Sequence, residues 1–352
     1  MSALPTPTAG PRAPRPLNPP AAHAGDTGDD GPWISEFMRR NGHATHSIVE
    51  YDLGVAARNF RIDSDAGPFV LRYDARRSAT LAAEDQLFCE LARRGGVRAP
   101  VGPWRYGEID GVTAILRPWI GGEALPDRPP ALWPSAQRLG RLLGRLHRLP
   151  PPPPKRGYFF SWILDPAHAR WAEARDAAAS LGLCGADGAT VDHAVRRSLE
   201  AAQSVALMRA SPVGVTHGDF TPGNVLVDGR RVWLIDWEKA CVGPLCADLA
   251  QAIYYFCAVT ADPLRFAQSF LAAYGRSHRL DARLLSAWLR VFPTAVFLWD
   301  ANSTAVNRRS APEQFSAKKE RYFAEVSLRR YARFCEIEAR LQARLTELLN
   351  PI

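Results

Sequence analysis

One stretch of this chain gathers the residue types that acid/base and hard-cation chemistry require: His217-Gly218-Asp219-Phe220-Thr221-Pro222-Gly223-Asn224, followed after an aliphatic run by Asp236-Trp237-Glu238. Between the two groups, Val225-Leu226-Val227, the turn Asp228-Gly229 and Val232-Trp233-Leu234-Ile235 read as a β-hairpin. A tight hairpin brings its own ends together, so Asn224 and Asp236 are expected to be neighbours in space. A carboxylate and an amide oxygen form a hard-oxygen pair suited to Mg²⁺, which keeps waters and takes further ligands from phosphates. Asp219 would sit beside them, free to accept a proton from an attacking hydroxyl. A base, metal ligands and little covalent chemistry are the parts of phosphoryl transfer. Any one of these Asp or Asn residues alone would read as a turn residue, as Asp228 before Gly229 does. The joint pattern carries the functional reading.

The elements that must position these residues fall into two groups. Residues 48–51, 59–63 and 68–73 read as three strands of an antiparallel meander, with a turn at Ala66-Gly67. Residues 78–94 read as a helix with Leu81, Glu84, Leu87, Phe88 and Leu91 on one face, stopped by Gly95-Gly96. Short strands follow near 104–106 and 112–116. From Gly121-Gly122 onward the chain is mainly helical: 133–149, much of 161–210, and a last helix at about 316–349. The strand-rich island at 213–235 interrupts the helices. Residues 1–31 are rich in Pro, Ala, Gly and Thr, bury little, and are expected to be disordered. The proline run 150–154 reads as a stiff surface loop.

Composition narrows the function classes. The 352 residues leave room for about two domains or one two-lobed unit. The formal charge of +8 raises nucleic acid or a membrane surface as partners. Yet residues 1–50 hold four Arg against five acidic residues, so the excess is not a basic arm. There is no recognised nucleic-acid motif and no interleaved aromatic–basic run. No run of 18 or more apolar residues suggests a membrane span, and the N-terminus lacks a secretory signal pattern. Six scattered cysteines without a CxxC pair read as reduced, mostly buried thiols, which leads us to expect a cytoplasmic protein. A P-loop is absent, since no G-x-x-x-x-G-K-[ST] occurs.

On the His217–Asn224 run, the hairpin, Ile235-Asp236-Trp237-Glu238 and the later Gly243-Pro244…Asp248-Leu249-Ala250, the chain resembles the aminoglycoside phosphotransferase and choline kinase-type family of the protein-kinase-like fold. The helix Leu139-Gly-Arg-Leu-Leu-Gly-Arg-Leu-His147 is similar too, with His147 read as packing or capping. The resemblance covers roughly residues 33–335. It implies an α+β, bilobal fold, with a small N-terminal antiparallel sheet lobe bearing one helix and a larger, mainly helical C-terminal lobe. The boundaries are then 1–31 for the tail, 32–118 for the nucleotide-binding lobe and 119–352 for the catalytic and substrate-binding lobe. By the same resemblance Asp219 is the catalytic base, Asn224 and Asp236 hold metal, and Asp248 is a buried structural anchor for the catalytic loop.

Kinases hold the α- and β-phosphates with a strand-borne cation paired to a helix carboxylate. Arg72 in Val70-Leu71-Arg72 stands where that cation belongs, with Glu84 as its natural partner and Glu90 as the rival. A guanidinium can still bind phosphate. The phosphate-covering loop is expected at residues 53–60, with one glycine, and with Arg58 and Asn59 as substitute donors. The inter-lobe hinge is expected at Leu116-Arg117-Pro118-Trp119-Ile120, its backbone holding the adenine edge.

The reading that follows is a Mg²⁺-dependent kinase using ATP, with GTP as the alternative donor. Its acceptor is a hydroxyl of a small molecule: an aminoglycoside or other antibiotic, an amino alcohol, an amino acid or a sugar. No specific nucleic acid and no membrane partner is expected, and the sequence leaves the oligomeric state open. Residues 210–352 hold 14 acidic and 18 basic residues, which weighs against a strongly cationic acceptor. Trp299, Asp300, Asn302 and Asn307 could line the acceptor pocket, or could simply belong to an amphipathic helix. The alternative class is a catalytically impaired, kinase-like nucleotide-binding regulatory protein. Arg at the lysine position and the glycine-poor loop motivate it; the retained Asp219, Asn224 and Asp236 oppose it.

Overall fold

The computed structural model describes residues 30–51, 57–74, 78–100, 102, 104–109, 111–125, 132–152, 160–310 and 313–349. A five-stranded antiparallel sheet comes first, built from β1 (Thr45–Tyr51), β2 (Arg58–Ser64), β3 (Gly67–Asp74), β4 (Arg105–Ile109) and β5 (Val112–Pro118) in the order β1-β2-β3-β5-β4. Side chains alternate across a strand. Phe60, Ile62, Leu71, Ala114 and Leu116 therefore share one face, where they form a small core with Ile34, Phe37 and Met38. Arg72, one residue from Leu71, falls on the opposite face. The three partners Ile34, Phe37 and Met38 come from α1 (Asp30–Arg40), a helix the sequence reading did not anticipate. Fully burying each contributes on the order of 1.5–3 kcal/mol, which fixes a helix that a Pro- and Gly-laced approach concealed. Asp30 and Gly31 thus belong to a helix, while residues 1–29 of the expected tail lie outside the described residues.

The helix α2 (Ala79–Arg94) is capped by Ser78, whose hydroxyl accepts from Leu81 N–H at 3.3 Å. Its buried face is Ala82, Asp85, Phe88, Cys89 and Ala92, rotated from the expected stripe, and Leu87 is exposed. Small side chains on that face let the helix lie close to the turn after the hairpin.

The larger part contains α3 (Leu132–Leu146), α4 (Ala169–Ser180), α5 (Gly185–Glu200), α6 (Ala202–Met208), α7 (Leu245–Val259), α8 (Pro263–Gly275), α9 (Ala282–Ser310), α10 (Glu313–Tyr322) and α11 (Leu328–Leu349). Set among them are β6 (Glu123–Ala124), β7 (Val213–Thr216), β8 (Val225–Asp228), β9 (Arg231–Leu234) and β10 (Cys241–Pro244). The sheets here are β6-β8-β9 and β7-β10. The expected last helix is therefore two helices, joined through a π-helical turn at Phe323–Ser327. The stretch Ala282–Arg309 within α9 is long and apolar enough, by length and composition alone, to cross a membrane. Here it is the central core helix, packed against α4, α5, α6, α7, α10 and α11. Gly140 lets α3 approach α8, since a Cβ there would strike the Phe270 carbonyl.

Candidate active site

Strand β7 pairs with β10, and the chain between β7 and β8 forms the loop that carries His217, Asp219 and Asn224. Two residues one turn apart on α7 shape that loop from below. The Asp248 carboxylate accepts from His217 N–H at 2.6 Å and Gly218 N–H at 2.9 Å. The Gln251 side-chain oxygen accepts from Phe220 N–H at 2.8 Å, and its Nε2 donates to Gly218 O at 3.3 Å. Both side chains are buried, so the loop's amides are satisfied inside the protein rather than by water. This matches the anchoring expected of Asp248; Gln251 gave no sign in the sequence beyond its spacing. His147 meets Asp248 at 3.3 Å through Nε2 and the Tyr274 hydroxyl at 2.8 Å through Nδ1, a buried packing contact as expected.

Gly218 sits at φ +71°, and a Cβ there would strike the Lys239 carbonyl. Gly218→Ala is therefore expected to lose about 2–4 kcal/mol of stability in urea unfolding, through left-handed strain and backbone displacement. Unaltered unfolding would contradict this close approach. His217 Nδ1 accepts from Asp219 N–H at 3.3 Å, and its Nε2 faces the Ile235 carbonyl at 3.1 Å. Since a carbonyl only accepts, the ring is the neutral Nε2–H tautomer. Burial, opposed by Asp248, Asp219 and Asp236, pushes its pKa below the usual histidine value, which keeps it neutral.

The hairpin closes at its base through Ile235 N–H donating to Asn224 O at 2.9 Å, so the ends meet as the sequence implied. Asn224 Nδ2 donates to the Asp219 backbone carbonyl at 2.9 Å, which turns its side-chain oxygen away from that bond. Asp236 lies at φ +61°, the one non-glycine residue with positive φ among the described residues. Such a conformation costs on the order of 1–3 kcal/mol and is held by its surroundings. One of its oxygens accepts from Arg72 at 3.1 Å, and no described donor takes the other.

Asp219 is not free, as the sequence reading supposed: Lys239 Nζ donates to its Oδ2 at 3.1 Å. Burial opposes the charge on Lys239, but Asp219, Glu238 and Asp236 hold its pKa above the usual lysine value. Arg72 meets Asp74 at 3.0 Å, Asp236 at 3.1 Å and Glu238 at 2.5 Å. Glu84 is not among its partners, and Glu90 accepts instead from Gln86 at 2.9 Å. The α2 carboxylate that is buried is Asp85, because the helix presents its small-residue face inward. Arg72 Nε is buried with no hydrogen-bond partner. Glu238 and Lys239 occupy the short turn Trp237–Lys239, against which α2 packs. The sequence reading gave neither a role; the signal was an acid and a base directly following Asp236-Trp237.

Burial raises the Asp236 carboxyl, but Arg72, Arg117, Lys239 and His217 together hold it below the ordinary carboxylate value. Glu238 moves the other way, pushed up by burial and by Asp236 against the pull of Arg72 and Lys239. Three carboxylates, Asp74, Asp236 and Glu238, share one guanidinium, an arrangement that a divalent cation would relieve. Asn224's side-chain oxygen, Asp236's second oxygen and Glu238 are hard oxygen donors, the chemistry that fits Mg²⁺.

At the expected hinge, the Arg117 guanidinium lies 5.5 Å from the Trp104 ring centroid, and its charge acts on Asp236. The Trp119 amide is not available to an adenine edge, because it donates to the Pro68 carbonyl at 2.9 Å. The next amide, Ile120, makes no backbone hydrogen bond among the described residues. The Trp119 ring receives Arg61 at 5.4 Å. Of the expected phosphate-covering loop, residues 53–56 lie outside the described residues. Arg58 pairs with Glu50 at 2.8 Å across β1 and β2.

A small antiparallel sheet over a larger helical body, with a catalytic-type loop and an acid-bearing turn facing each other, defines a protein-kinase-like phosphotransferase fold. Residues 47–285 match the model of the Phosphotransferase enzyme family, and the chain belongs to that family. A homoserine kinase of Methylobacillus flagellatus is 28% identical over 289 residues, covering 78% of this chain and 84% of that protein. A thiamine kinase of Escherichia coli is 25% identical over 218 residues, covering 61% of this chain and 69% of that protein. A spectinomycin phosphotransferase, solved with ADP and spectinomycin, shares the fold at TM-score 0.59 and 14% identity, over 87% of this chain and 98% of that one. The protein is a small-molecule kinase.

Proposed function

We propose that the protein transfers the γ-phosphate of ATP to a hydroxyl of a small molecule with Mg²⁺, residues 32–118 forming the nucleotide lobe and 119–352 the catalytic lobe. The observation that carries this reading is the closed hairpin base, which sets Asn224 and Asp236 side by side next to Asp219. Asp219 takes the proton as the acceptor oxygen bonds to phosphorus, the bond from phosphorus to the β,γ-bridging oxygen breaks, and ADP leaves. Asn224 and Asp236, joined by Glu238, would hold Mg²⁺, which supplies charge neutralisation for the phosphates. Arg72 exchanges part of its carboxylate cage for nucleotide phosphate, its orphaned Nε being a donor in want of an acceptor. The cleft side of β5, with Arg117, and the peptides from Trp119 to Ile120 line the base end. GTP is the alternative donor.

The loop HGDFTPGN has no cation of its own after Asp219. Lys239 supplies one from the opposite turn, orienting Asp219 and neutralising the transferring group. Lys239→Met is expected to lower kcat about 10–100-fold while the KM for nucleotide changes less than about threefold. Steady-state kinetics with both substrates varied would show it. An unchanged kcat would remove Lys239 from the reaction.

The relatives' printed substrates, homoserine, thiamine and spectinomycin, span a zwitterion, a cation and an aminocyclitol. The test is a screen with γ-labelled ATP over amino acids, amino alcohols, sugars, aminoglycosides and macrolides. Label in an organic product supports the reading. Nucleotide binding without transfer to any acceptor is what the regulatory alternative requires.

A further inference from the structure

Above the catalytic loop, four helices and the π-turn converge on one pair of opposite charges. Asp300 of α9 accepts from the Ser327 hydroxyl at 2.6 Å, and no described donor takes its other oxygen. Arg330 of α11 lies with its guanidinium 4.4 Å from the Tyr255 ring of α7 and 5.9 Å from the Tyr322 ring of α10. Its Nη2 donates to the Tyr322 hydroxyl at 3.2 Å, and its Nη1 is buried with no hydrogen-bond partner. Asp300 and Arg330 act on each other's titration yet form no ion pair. The π-turn Phe323–Ser327 adds a residue to the helical path, and such turns gather at functional sites. The cluster adjoins the catalytic loop: Tyr255 stands one turn on from Gln251 on the same face of α7, and the Gln251 side chain holds Gly218 and Phe220 of that loop.

The guanidinium lies against the Tyr255 ring, spends Nη2 on the Tyr322 hydroxyl and has Nη1 left over. An unpaired buried N–H costs about 1–3 kcal/mol, more when it is charged. A carboxylate is the group that matches such a donor. Asp300, which forms no ion pair with Arg330, offers its open oxygen to an ammonium. Lys319 and Lys239 add positive charge around Asp300, which disfavours a polycation in the same space.

We propose that Asp300 and Arg330 form the acceptor subsite and that the acceptor is a small hydroxylated zwitterion, an α-amino acid with a side-chain hydroxyl. Its carboxylate meets Arg330, its ammonium meets Asp300, and its hydroxyl points to Asp219, to which the proton passes as the new P–O bond forms and ADP leaves. The inference rests on the kinase reading and narrows it to one substrate class.

The test compares L-serine, L-threonine and L-homoserine with the matching amino alcohols, which lack only the carboxylate, and with kanamycin and choline. Expected is a kcat/KM for at least one hydroxy amino acid about 100-fold or more above its amino alcohol, as for a site with a charged donor left unpaired. Arg330→Gln should abolish that preference by raising the acceptor KM, leaving nucleotide affinity unchanged, and Arg330→Lys should restore part of it. Amino alcohols or kanamycin used as well as the amino acids would overturn the proposal, as would Arg330→Gln with its preference intact. Thermal melts separate these outcomes from misfolding, and Arg330→Lys preserves a readout if the glutamine variant fails to fold. Where no transfer occurs at all, calorimetry of L-homoserine against protein saturated with Mg²⁺ and a non-hydrolysable ATP analogue decides. Binding lost in Arg330→Gln, partly kept in Arg330→Lys and absent for the amino alcohol upholds the subsite and fails only the kinase reading; no binding of any hydroxy amino acid overturns the subsite.

Discussion

Replacing Asp219 by Asn is expected to lower turnover by on the order of 10²–10⁴-fold, the span for a lost general base. The affinity for Mg-nucleotide should stay within about threefold. The asymmetry follows from where Asp219 sits. Its carboxylate touches Lys239 and none of the groups assigned to the nucleotide, whereas its backbone holds the loop through His217 and Asn224. Asn keeps the size and the oxygen that Lys239 contacts, so the loop should remain as it is. Rapid-quench turnover and calorimetry on the same preparation measure the two halves. Retained turnover would move the base elsewhere; lost affinity with retained turnover would invert the assignment.

Asp236→Asn should fail in the opposite way. Asn tolerates left-handed backbone well, so the φ of +61° at this position should survive the change. The carboxylate that would bind metal does not. Arg72 would keep Asp74 and Glu238 as charged partners and the amide oxygen as an acceptor, but the negative charge at this position would be gone. We expect the Mg²⁺-dependent part of nucleotide affinity to fall by at least about 100-fold, with turnover at saturating nucleotide reduced at least as much. Titration of nucleotide with Mg²⁺ and with a chelator isolates that part. Equal metal dependence in wild type and variant would remove Asp236 from the metal site.

The contrast between these two variants shows which features the sequence made legible. The hairpin could be read because its geometry is local: a two-residue turn, at Gly229-Arg230 rather than the expected Asp228-Gly229, brings Asn224 and Asp236 together, whatever the remaining chain does. The layered α+β architecture was legible for the same reason, from strand alternation and helical stripes. The partners of Arg72 were not. Strand periodicity places Asp74 beside it on β3, but Glu238 arrives from a turn 166 residues away, and no local pattern selects it over Glu84. The phase of α2 was misjudged because Leu87 is more apolar than Ala82 or Cys89, while tight packing against Trp237–Lys239 favours the smaller side chains. Lys239 hid in plain view, its pairing with Asp219 depending on how the turn after the hairpin folds back. The same holds for Trp119, whose amide is consumed by the sheet register at Pro68 rather than left open to a ligand.

The account's central claim is that Asp219 moves a proton while a neighbouring Asn224–Asp236 pair organises a nucleotide for transfer. The most direct measurement follows γ-labelled ATP, with Mg²⁺ and the best acceptor from the screen, in single turnovers of wild type and Asp219→Asn side by side. The account predicts label in the organic product for wild type, at least about 100-fold slower in the variant, with equal nucleotide bound at the start. Equal transfer rates for the two proteins, or label released only as inorganic phosphate, would contradict it.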